Sequence, residues 1–349
     1  LMRSSAASDV YKRQDIHNIY INEGHLMNTS DALKKLLLII NPKAGRMKSK
    51  QKLFQIANEF CSLGYQVTLQ PTTKPGDATE IVKNYGENFD LLVCCGGDGT
   101  LNEVTAGIMA LDNPPPVGYI PTGTTNDLAE TLGLGSTIEE NVKIAATGKP
   151  CKIDSGLFNG RVFNYVAAFG VFSDAAYSTT QTLKNILGHS SYLIFGAKSF
   201  AKMRSYNLKI ETPEETYEGE FLFGNIVSSI SVGGILKLDP SLVKLDDGLF
   251  EVFLIRKPKS TAAFLNLAIK ALRGDLSNEN IIFTHASSVK ITGPADMDWA
   301  LDGEYQKGSE TVLIENRKQA LTIIRPAEDE SDEENEENTE NEVETVSVQ

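Results

Sequence analysis

The chain has 349 residues, of which 41% are hydrophobic and 23% are charged, a composition typical of a folded protein with one large or two ordinary domains. Its formal net charge of −13 falls to −2 once the eleven acidic residues between Glu328 and Glu344 are set aside. A near-neutral body argues against a nucleic-acid-binding protein, which needs a basic surface. No apolar stretch approaches the ~18 residues of a membrane-spanning helix, which argues against an integral membrane protein.

Both ends of the sequence are predicted to lie outside the fold. Residues 9–14 resemble a translated sequencing adapter, and Met27 precedes the first segment with a structural pattern. We therefore expect residues 1–26 to be a leader, with residues 1–14 artefactual and translation starting at or near Met27. Residues 327–349 have almost nothing apolar to bury and are predicted to form a disordered acidic tail. The four cysteines match neither a zinc site nor a disulfide framework, which favours a reducing, cytoplasmic compartment.

Residues 27–149 alternate between buried strands and amphipathic helices. Strands are predicted at 35–40, 65–70, 91–95 and 117–120, and helices at 52–63, 77–85 and 101–111. Asp77 is the predicted N-cap of the second helix. The alternation predicts an α/β domain with a parallel sheet and helices on its faces.

Residues 150–326 contain mainly short β-rich runs. Strands are predicted at 161–168, 207–211, 220–232, 249–255 and 289–291, helices at 190–203 and 260–273, and a terminal hairpin at 311–324. We expect a second, mostly antiparallel β-sandwich domain, with its last strands free to return to the first domain. The boundary near residue 149 depends on the change in composition alone.

The strongest functional motif is Gly-Gly-Asp-Gly-Thr at residues 96–100, between a buried strand and a helix. Glycines allow backbone N–H groups to approach a ligand closely, and a helix N-terminus favours phosphate. Asp98 would repel phosphate unless a divalent cation lies between them, so the motif indicates a nucleotide site with a metal. The structural alternative is a tight turn in which Asp98 caps the helix.

Two further loops follow neighbouring strands of the same predicted sheet. Residues 121–129 read Pro-Thr-Gly-Thr-Thr-Asn-Asp-Leu-Ala, and residues 41–45 read Asn-Pro-Lys-Ala-Gly. In open α/β sheets, ligands bind at the carboxyl edge of the strands, where all three loops should meet. The usual Gly-Lys-Ser/Thr phosphate loop and the G-x-G-x-x-G dinucleotide turn are both absent from the sequence.

With these three loops in this order, the chain resembles the diacylglycerol kinase catalytic domain, in particular the bacterial soluble lipid kinases. The Gly-Gly-Asp-Gly-Thr motif is shared with NAD kinases and, in variant form, with phosphofructokinases, whereas residues 123–129 are more specific to the lipid kinases. Two later segments extend the resemblance across residues 35–326. Residues 244–250 resemble the family's structural magnesium segment, and residues 301–304 its catalytic segment.

The resemblance implies a role for each matching residue. Glu304 is the implied general base, with Asp302 beside it, and Asp98 completes the catalytic set. The implied ATP-binding residues are Asn41, Gly45, Gly96, Gly97, Gly99, Thr100, Thr122, Gly123, Thr124 and Asn126. Asp98, Asp127 and, on a weaker local pattern, Asp77 are implied to hold the catalytic magnesium. Lys244, Asp247 and Leu249 are implied to hold a structural magnesium, Lys244 and Leu249 through their carbonyls.

Elementary chemistry supports this set, but structural alternatives stay open. Phosphoryl transfer needs positioned phosphates, a neutralising cation and an acceptor for the hydroxyl proton. If residues 299–305 are extended, Asp302 and Glu304 share one face, and the two carboxylates raise one pKa towards neutrality. The alternatives are a surface hairpin turn at residues 302–304 and a polar turn at residues 244–249.

The function predicted at this stage is ATP-dependent phosphorylation of a lipid hydroxyl, with diacylglycerol as the first choice of acceptor and phosphatidic acid as the product. The resemblance implies ATP and Mg²⁺ as cofactors, a lipid substrate at a membrane surface, peripheral membrane association and a possible homodimer, with no nucleic-acid partner. Alternatives are a kinase of sphingoid lipids, ceramide or phosphatidylglycerol, an NAD kinase, and a nucleotide-binding regulator without activity.

Overall fold

The structure is a computed structural model that describes residues 33–44, 48–124, 126–170, 203–228, 231–232, 236–237, 243–272 and 275–327. The predicted leader, residues 190–202 of the predicted helix, residues 328–349 of the acidic tail and Gly45 lie outside these residues. The described residues from Lys34 onward belong to one compact unit. Among the described residues, no helix is long and apolar enough to cross a membrane.

The first half of the described chain alternates between strands and helices. Its elements are β1 (Lys34–Ile40), α1 (Lys48–Ser62), β2 (Tyr65–Pro71), α2 (Asp77–Tyr85), β3 (Leu91–Gly96), α3 (Asp98–Ile108), β4 (Val117–Pro121), α4 (Asp127–Thr131) and α5 (Ile138–Thr147). The four strands are parallel and lie in the order β2-β1-β3-β4. Apolar clusters cover both faces of this sheet, so β3 is buried along its whole length.

The second half is rich in antiparallel strands. Its elements are β5 (Lys149–Phe158), β6 (Arg161–Phe163), β7 (Val166–Gly170), β8 (Tyr206–Glu211), β9 (Thr216–Val227), β10 (Ser231–Val232), β11 (Leu236–Lys237), β12 (Phe250–Arg256), α6 (Thr261–Leu272), β13 (Ile281–Ala286), β14 (Ser288–Thr292), β15 (Trp299–Leu301), β16 (Glu304–Gln306) and β17 (Thr311–Arg325). Their apolar cluster surrounds the fully buried Trp299. The predicted fold class, a parallel α/β part followed by an antiparallel strand-rich part, is confirmed.

β17 joins the two halves. It pairs antiparallel with β5 and β14, and its Ile323 lies beside Val117 of β4 in a parallel arrangement. The terminal hairpin predicted at 311–324 is therefore wrong. The polar residues in its middle form an irregularity within one long strand, where Gln319 adopts φ 53° and donates its N–H to Asp154 Oδ1 at 2.7 Å.

Three other element predictions need correction. The run 161–168 is interrupted between β6 and β7, because the N–H groups of Asn164 and Tyr165 turn towards the Asp302 carboxylate. The run 220–232 begins earlier, at Thr216, and breaks after Val227. α3 begins three residues before the predicted Leu101, because its first turn lies inside the glycine loop.

The N-cap of α2 is Gly76, at φ 85°, and not Asp77. Asp77 is the first residue of the helix, and its carboxylate turns back to accept the N–H and hydroxyl of Thr73, at 2.7 and 2.6 Å. A glycine with positive φ allows the chain to enter the helix without steric strain.

Candidate active site

The site begins at the carboxyl edge of the parallel sheet, where β1 and β3 end side by side. β2 lies on one side of β1 and β3 lies on the other, so the strand order reverses direction at β1. Open α/β sheets bind ligands at the carboxyl edge beside such a reversal. Asn41 follows β1 and donates its N–H to the Cys95 carbonyl at 2.9 Å. Its side-chain amide donates to Thr100 Oγ1 at 3.1 Å, which links the first predicted loop to the glycine loop.

The glycine loop and the loop after β4 are in backbone contact. The Thr122 N–H donates to the Gly96 carbonyl at 2.8 Å. A methyl group built on Gly123 would lie 2.6 Å from the Cα of Gly97, so no side chain fits between the two loops. Asn126, at φ 53°, accepts the Gly123 N–H at 2.9 Å and fixes the second loop. Thr124 lies exposed beside this contact.

Asp98 is the first residue of α3 and connects the same two loops. Its carboxylate accepts the backbone N–H groups of Asn126 and Asp127. Burial, followed by the nearby Asp127 carboxylate, raises the pKa of Asp98 to about 6. Its Oδ1 is buried and has no hydrogen-bond partner among the described residues. A buried carboxylate oxygen left open beside a second carboxylate suits a hard cation such as Mg²⁺.

Asp302 forms a buried hub in the second half of the chain. Its carboxylate accepts the N–H groups of Asn164, Tyr165 and Val166 at 2.6, 3.0 and 3.0 Å, and the side-chain amide of Asn102, on α3, at 3.1 Å. Burial raises the pKa of Asp302 to about 7, although these N–H groups act in the opposite direction. Asp302 therefore fixes the β15–β16 turn against α3.

The expected shared face for Asp302 and Glu304 is wrong. Leu301 pairs with Glu304, so Asp302 and Gly303 are the two central residues of a hairpin turn, at φ 48° and 80°. Both values are positive, as a type I′ turn requires. The turn buries Asp302 and leaves the Glu304 side chain 58% exposed.

Glu304 lies over the N-terminal turn of α3. A methyl group built on Gly99 would lie 2.8 Å from Glu304 Oε1, so the glycine leaves room for the carboxylate. The other oxygen, Oε2, accepts a hydrogen bond from Arg161 Nη2 at 3.0 Å. The structure thus brings the predicted base from the second half of the chain onto the predicted phosphate turn of the first half.

Tyr165 joins the two sets of acids. Its hydroxyl donates to Asp127 Oδ2 at 3.1 Å, while its backbone N–H donates to Asp302. Burial, followed by the surrounding carboxylates, raises the pKa of the Tyr165 phenol. Sequence reasoning missed Tyr165, Asn102 and Arg161, because contacts across 38 to 200 residues leave no local pattern.

Asp77 has a different environment. In addition to the two Thr73 contacts, its carboxylate accepts the Lys74 N–H at 3.0 Å, and the Thr73 hydrogen bonds hold its pKa below the ordinary value. These contacts close the loop before α2. The described hydrogen bonds of the Asp77 carboxylate are all to Thr73 and Lys74 of its own loop.

The segment predicted to hold a structural magnesium forms a turn around Asp154. Asp154 is buried and accepts the Gly248 N–H at 2.7 Å, while Asp247 accepts the Leu249 N–H at 2.9 Å. Lys244 precedes this turn. Nearby Glu251 is buried, and its Oε2 has no partner among the described residues. The sequence analysis did not identify Asp154, although an aspartate within an apolar strand indicates a buried carboxylate with specific partners.

In the described part of the chain, no group of three or more His, Cys, Asp or Glu side chains is arranged to hold a metal ion. The two predicted cation sites are therefore not preformed cages of protein side chains. A cation at either place would need phosphate, carbonyl or water oxygens in addition to the carboxylates, which is usual for Mg²⁺.

Comparison with known proteins identifies the class. Residues 35–158 match the diacylglycerol kinase catalytic domain. The chain is 37% identical over 278 residues to a diacylglycerol kinase of Bacillus subtilis (strain 168), covering 78% of this chain and 90% of the relative. A diacylglycerol kinase of Staphylococcus saprophyticus is 32% identical over 295 residues, covering 84% and 96%. The crystal structure of a diacylglycerol kinase from Bacillus anthracis str. Sterne superposes with a TM-score of 0.64 at 25% identity, covering 84% and 97%.

The fold and these relatives define a lipid kinase, an enzyme that transfers a phosphoryl group to an alcohol. The chain belongs to the diacylglycerol kinase family. The predicted resemblance and enzyme class are confirmed.

Proposed function

We propose that this enzyme transfers the γ-phosphate of ATP to the free hydroxyl of diacylglycerol and produces phosphatidic acid. The names of its relatives support this acceptor. One observation carries the proposal: Glu304 Oε1 lies against Gly99, in the first turn of α3. A proton acceptor beside a phosphate-binding turn is the arrangement that phosphoryl transfer to an alcohol requires.

The nucleotide phosphates are proposed to bind at the loops after β3 and β4. The first turn of α3 is the positive end of the helix dipole, which favours phosphate. Gly96, Gly97, Gly99 and Gly123 add no side chains of their own here, so the backbone of the two loops can approach a phosphate closely. Asn41, Thr100, Thr122, Thr124 and Asn126 are assigned to the same nucleotide site, with Thr100 and Asn41 held by their mutual hydrogen bond.

Asp98 and Asp127 are the residues that would hold Mg²⁺, and the open Oδ1 of Asp98 fits this role. When bound, Mg²⁺ neutralises charge on the phosphate oxygens. Lys244, Asp247 and Leu249 are proposed for a second, structural cation, with Asp154 holding the turn. Asp77 is proposed only as an indirect contributor, because its described contacts close its own loop.

In the proposed step, Glu304 accepts the proton of the acceptor hydroxyl as that oxygen attacks the γ-phosphorus. A new P–O bond forms to the lipid, the bond to the β-phosphate oxygen breaks, and ADP leaves. Asp302 is proposed to position Glu304 for this step, because the hydrogen bonds to its carboxylate fix the turn that carries Glu304. Diacylglycerol resides in bilayers, so the enzyme is proposed to act while associated peripherally with a membrane surface.

Replacing Glu304 by Gln tests the role of the base. The change keeps the shape and removes the proton acceptor, so we expect turnover to fall by about 10²–10⁴-fold, with nucleotide binding and melting temperature close to wild type. The measurement is transfer of radiolabel from ATP to diacylglycerol in mixed micelles with Mg²⁺. The matched control is Glu310→Gln, at an exposed glutamate before β17, which should keep full activity. Wild-type turnover by Glu304→Gln would exclude Glu304 as the base.

A further inference from the structure

Arg161 connects β6 to the strand that carries Glu304. Its Nη2 donates to Glu304 Oε2 at 3.0 Å, and its Nη1 donates to Gln306 Oε1 at 2.7 Å. Glu304 and Gln306 are two residues apart on β16, so their side chains project from the same face of the strand. The planar guanidinium therefore spans two adjacent side chains and restricts the orientation of both.

This contact distinguishes the two oxygens of the Glu304 carboxylate. Oε2 is paired with Arg161, whereas Oε1 lies beside Gly99 at the start of α3. One oxygen is used for positioning, and the other faces the phosphate turn. A long side chain that is 58% exposed would otherwise sample several rotamers, of which few place an oxygen at that turn.

The ion pair contributes little to the stability of the fold. Both side chains are about half exposed, at 44% and 58%, and exposed ion pairs are among the weakest stabilising contacts in proteins. Its geometric effect is different, because a small displacement of a catalytic group lowers a rate strongly while the fold is unchanged.

We propose that Arg161 is a positioning residue for phosphoryl transfer: it holds Glu304 Oε2 so that Oε1 faces the acceptor hydroxyl at the N-terminal turn of α3. This inference rests on the proposed function, because it assumes that Glu304 is the base. β6 contains no predicted site residue, and this inference gives it a direct part in the geometry of the reaction.

The test compares Arg161→Gln and Arg161→Lys with wild type in the diacylglycerol assay. We expect Arg161→Gln to lower kcat by about 10–100-fold, with KM for ATP and for lipid within about twofold of wild type. Lysine keeps one charged donor, so Arg161→Lys should recover part of that loss. The melting temperature should stay close to that of wild type in both variants.

Arg204→Gln is the matched control. Arg204 also forms an exposed ion pair, with Asp296 at 2.5 Å, and lies outside the proposed machinery. Its kcat should equal that of wild type. A loss as large as that of Arg161→Gln would show that any broken surface ion pair has the same effect, and would overturn the proposal.

A double variant isolates the dependence on Glu304. If Arg161 acts through Glu304, adding Arg161→Gln to Glu304→Gln should lower the residual rate no further. Independent, multiplicative losses would contradict the positioning role, as would a wild-type kcat for Arg161→Gln. A wild-type enzyme that phosphorylates no lipid in the same assay would instead refute the proposed function, so the two failures are distinguishable.

Discussion

Asp302 and Glu304 are separated by one glycine, yet their carboxylates have different environments. Asp302 is buried under four hydrogen bonds, whereas Glu304 is half exposed and faces the first turn of α3. A motif of two neighbouring acids suggests shared proton chemistry, but the positive φ values of the turn separate them. The sequence identifies the two acids, and the geometry of the turn determines that Glu304, and not Asp302, faces the first turn of α3.

Glu251 is another buried carboxylate, and its substitution tests how a buried charge changes stability with pH. Burial is the main cause that raises its pKa, to about 8 from an ordinary value of 4.5. The folded state therefore holds the proton more tightly than the unfolded state. As pH rises from about 4.5 through about 8, wild type should lose stability, by about 1.4 kcal/mol per pH unit at most.

Glu251→Gln keeps the shape of the protonated side chain and removes this titration. We expect its free energy of unfolding to equal that of wild type near pH 5 and to exceed it increasingly up to pH 8. Urea unfolding with a chelator present, at several pH values, measures the difference. Glu279→Gln is the control, at an exposed glutamate outside the buried cluster. A constant difference across this pH range would contradict the buried-charge account.

Among the elements, the two loops after β3 and β4 depend on each other. A methyl group on Gly97 or on Gly123 would lie 3.1 or 2.6 Å from the Cα of the other residue, and Asp98 accepts N–H groups from the second loop. Each loop alone is an ordinary strand-to-helix connection. Together they form the rigid surface on which the proposed nucleotide phosphates bind.

Gly123→Ala should disturb this surface. The new methyl group would lie 2.6 Å from backbone at Gly97, which cannot turn aside as a side chain can. We expect a loss of stability of about 1–3 kcal/mol and a rise in KM for ATP of at least tenfold. Gly64→Ala is the control, because its methyl group would meet nothing within 4 Å and only its positive φ adds strain. Unchanged ATP affinity in Gly123→Ala would contradict the role of this contact.

Sequence patterns predicted the parallel half of the fold well, because strands buried on both faces read as uninterrupted apolar runs. β1 and β3 lie within one residue of their predicted limits at both ends. α5 was not predicted, although Thr137 and Glu140 form a capping box that the sequence displays.

The least predictable parts of the site were those made by distant partners. The interruption between β6 and β7 exists because backbone N–H groups there bind Asp302, 136 to 138 residues away. Local propensity contains no information about such a contact. The glycine motif and the Asp302-Gly303-Glu304 segment were found from sequence, whereas the contacts of Arg161 and Tyr165 required the assembled structure.

At the scale of the whole molecule, the site exists because the two halves of the chain meet. Residues 41–127 supply the sheet edge and the proposed phosphate loops, and the described residues between 161 and 304 supply the proposed base, Glu304, and the Asp302 carboxylate that fixes its turn. Hydrogen bonds from Asn102 to Asp302 and from Tyr165 to Asp127 connect the halves directly. Because each half of the chain lacks part of the proposed chemistry, neither half should be active without the other.

The central claim is most directly tested by offering purified enzyme radiolabelled ATP and Mg²⁺ with a panel of acceptors. The panel contains diacylglycerol, monoacylglycerol, ceramide, sphingosine and phosphatidylglycerol in mixed micelles, with NAD as a soluble acceptor. We predict that label appears in phosphatidic acid and that Glu304→Gln lowers its rate of appearance by about 10²–10⁴-fold. Label confined to another lipid, label in NADP, or no transfer from folded enzyme that binds ATP would contradict the proposed phosphorylation of diacylglycerol.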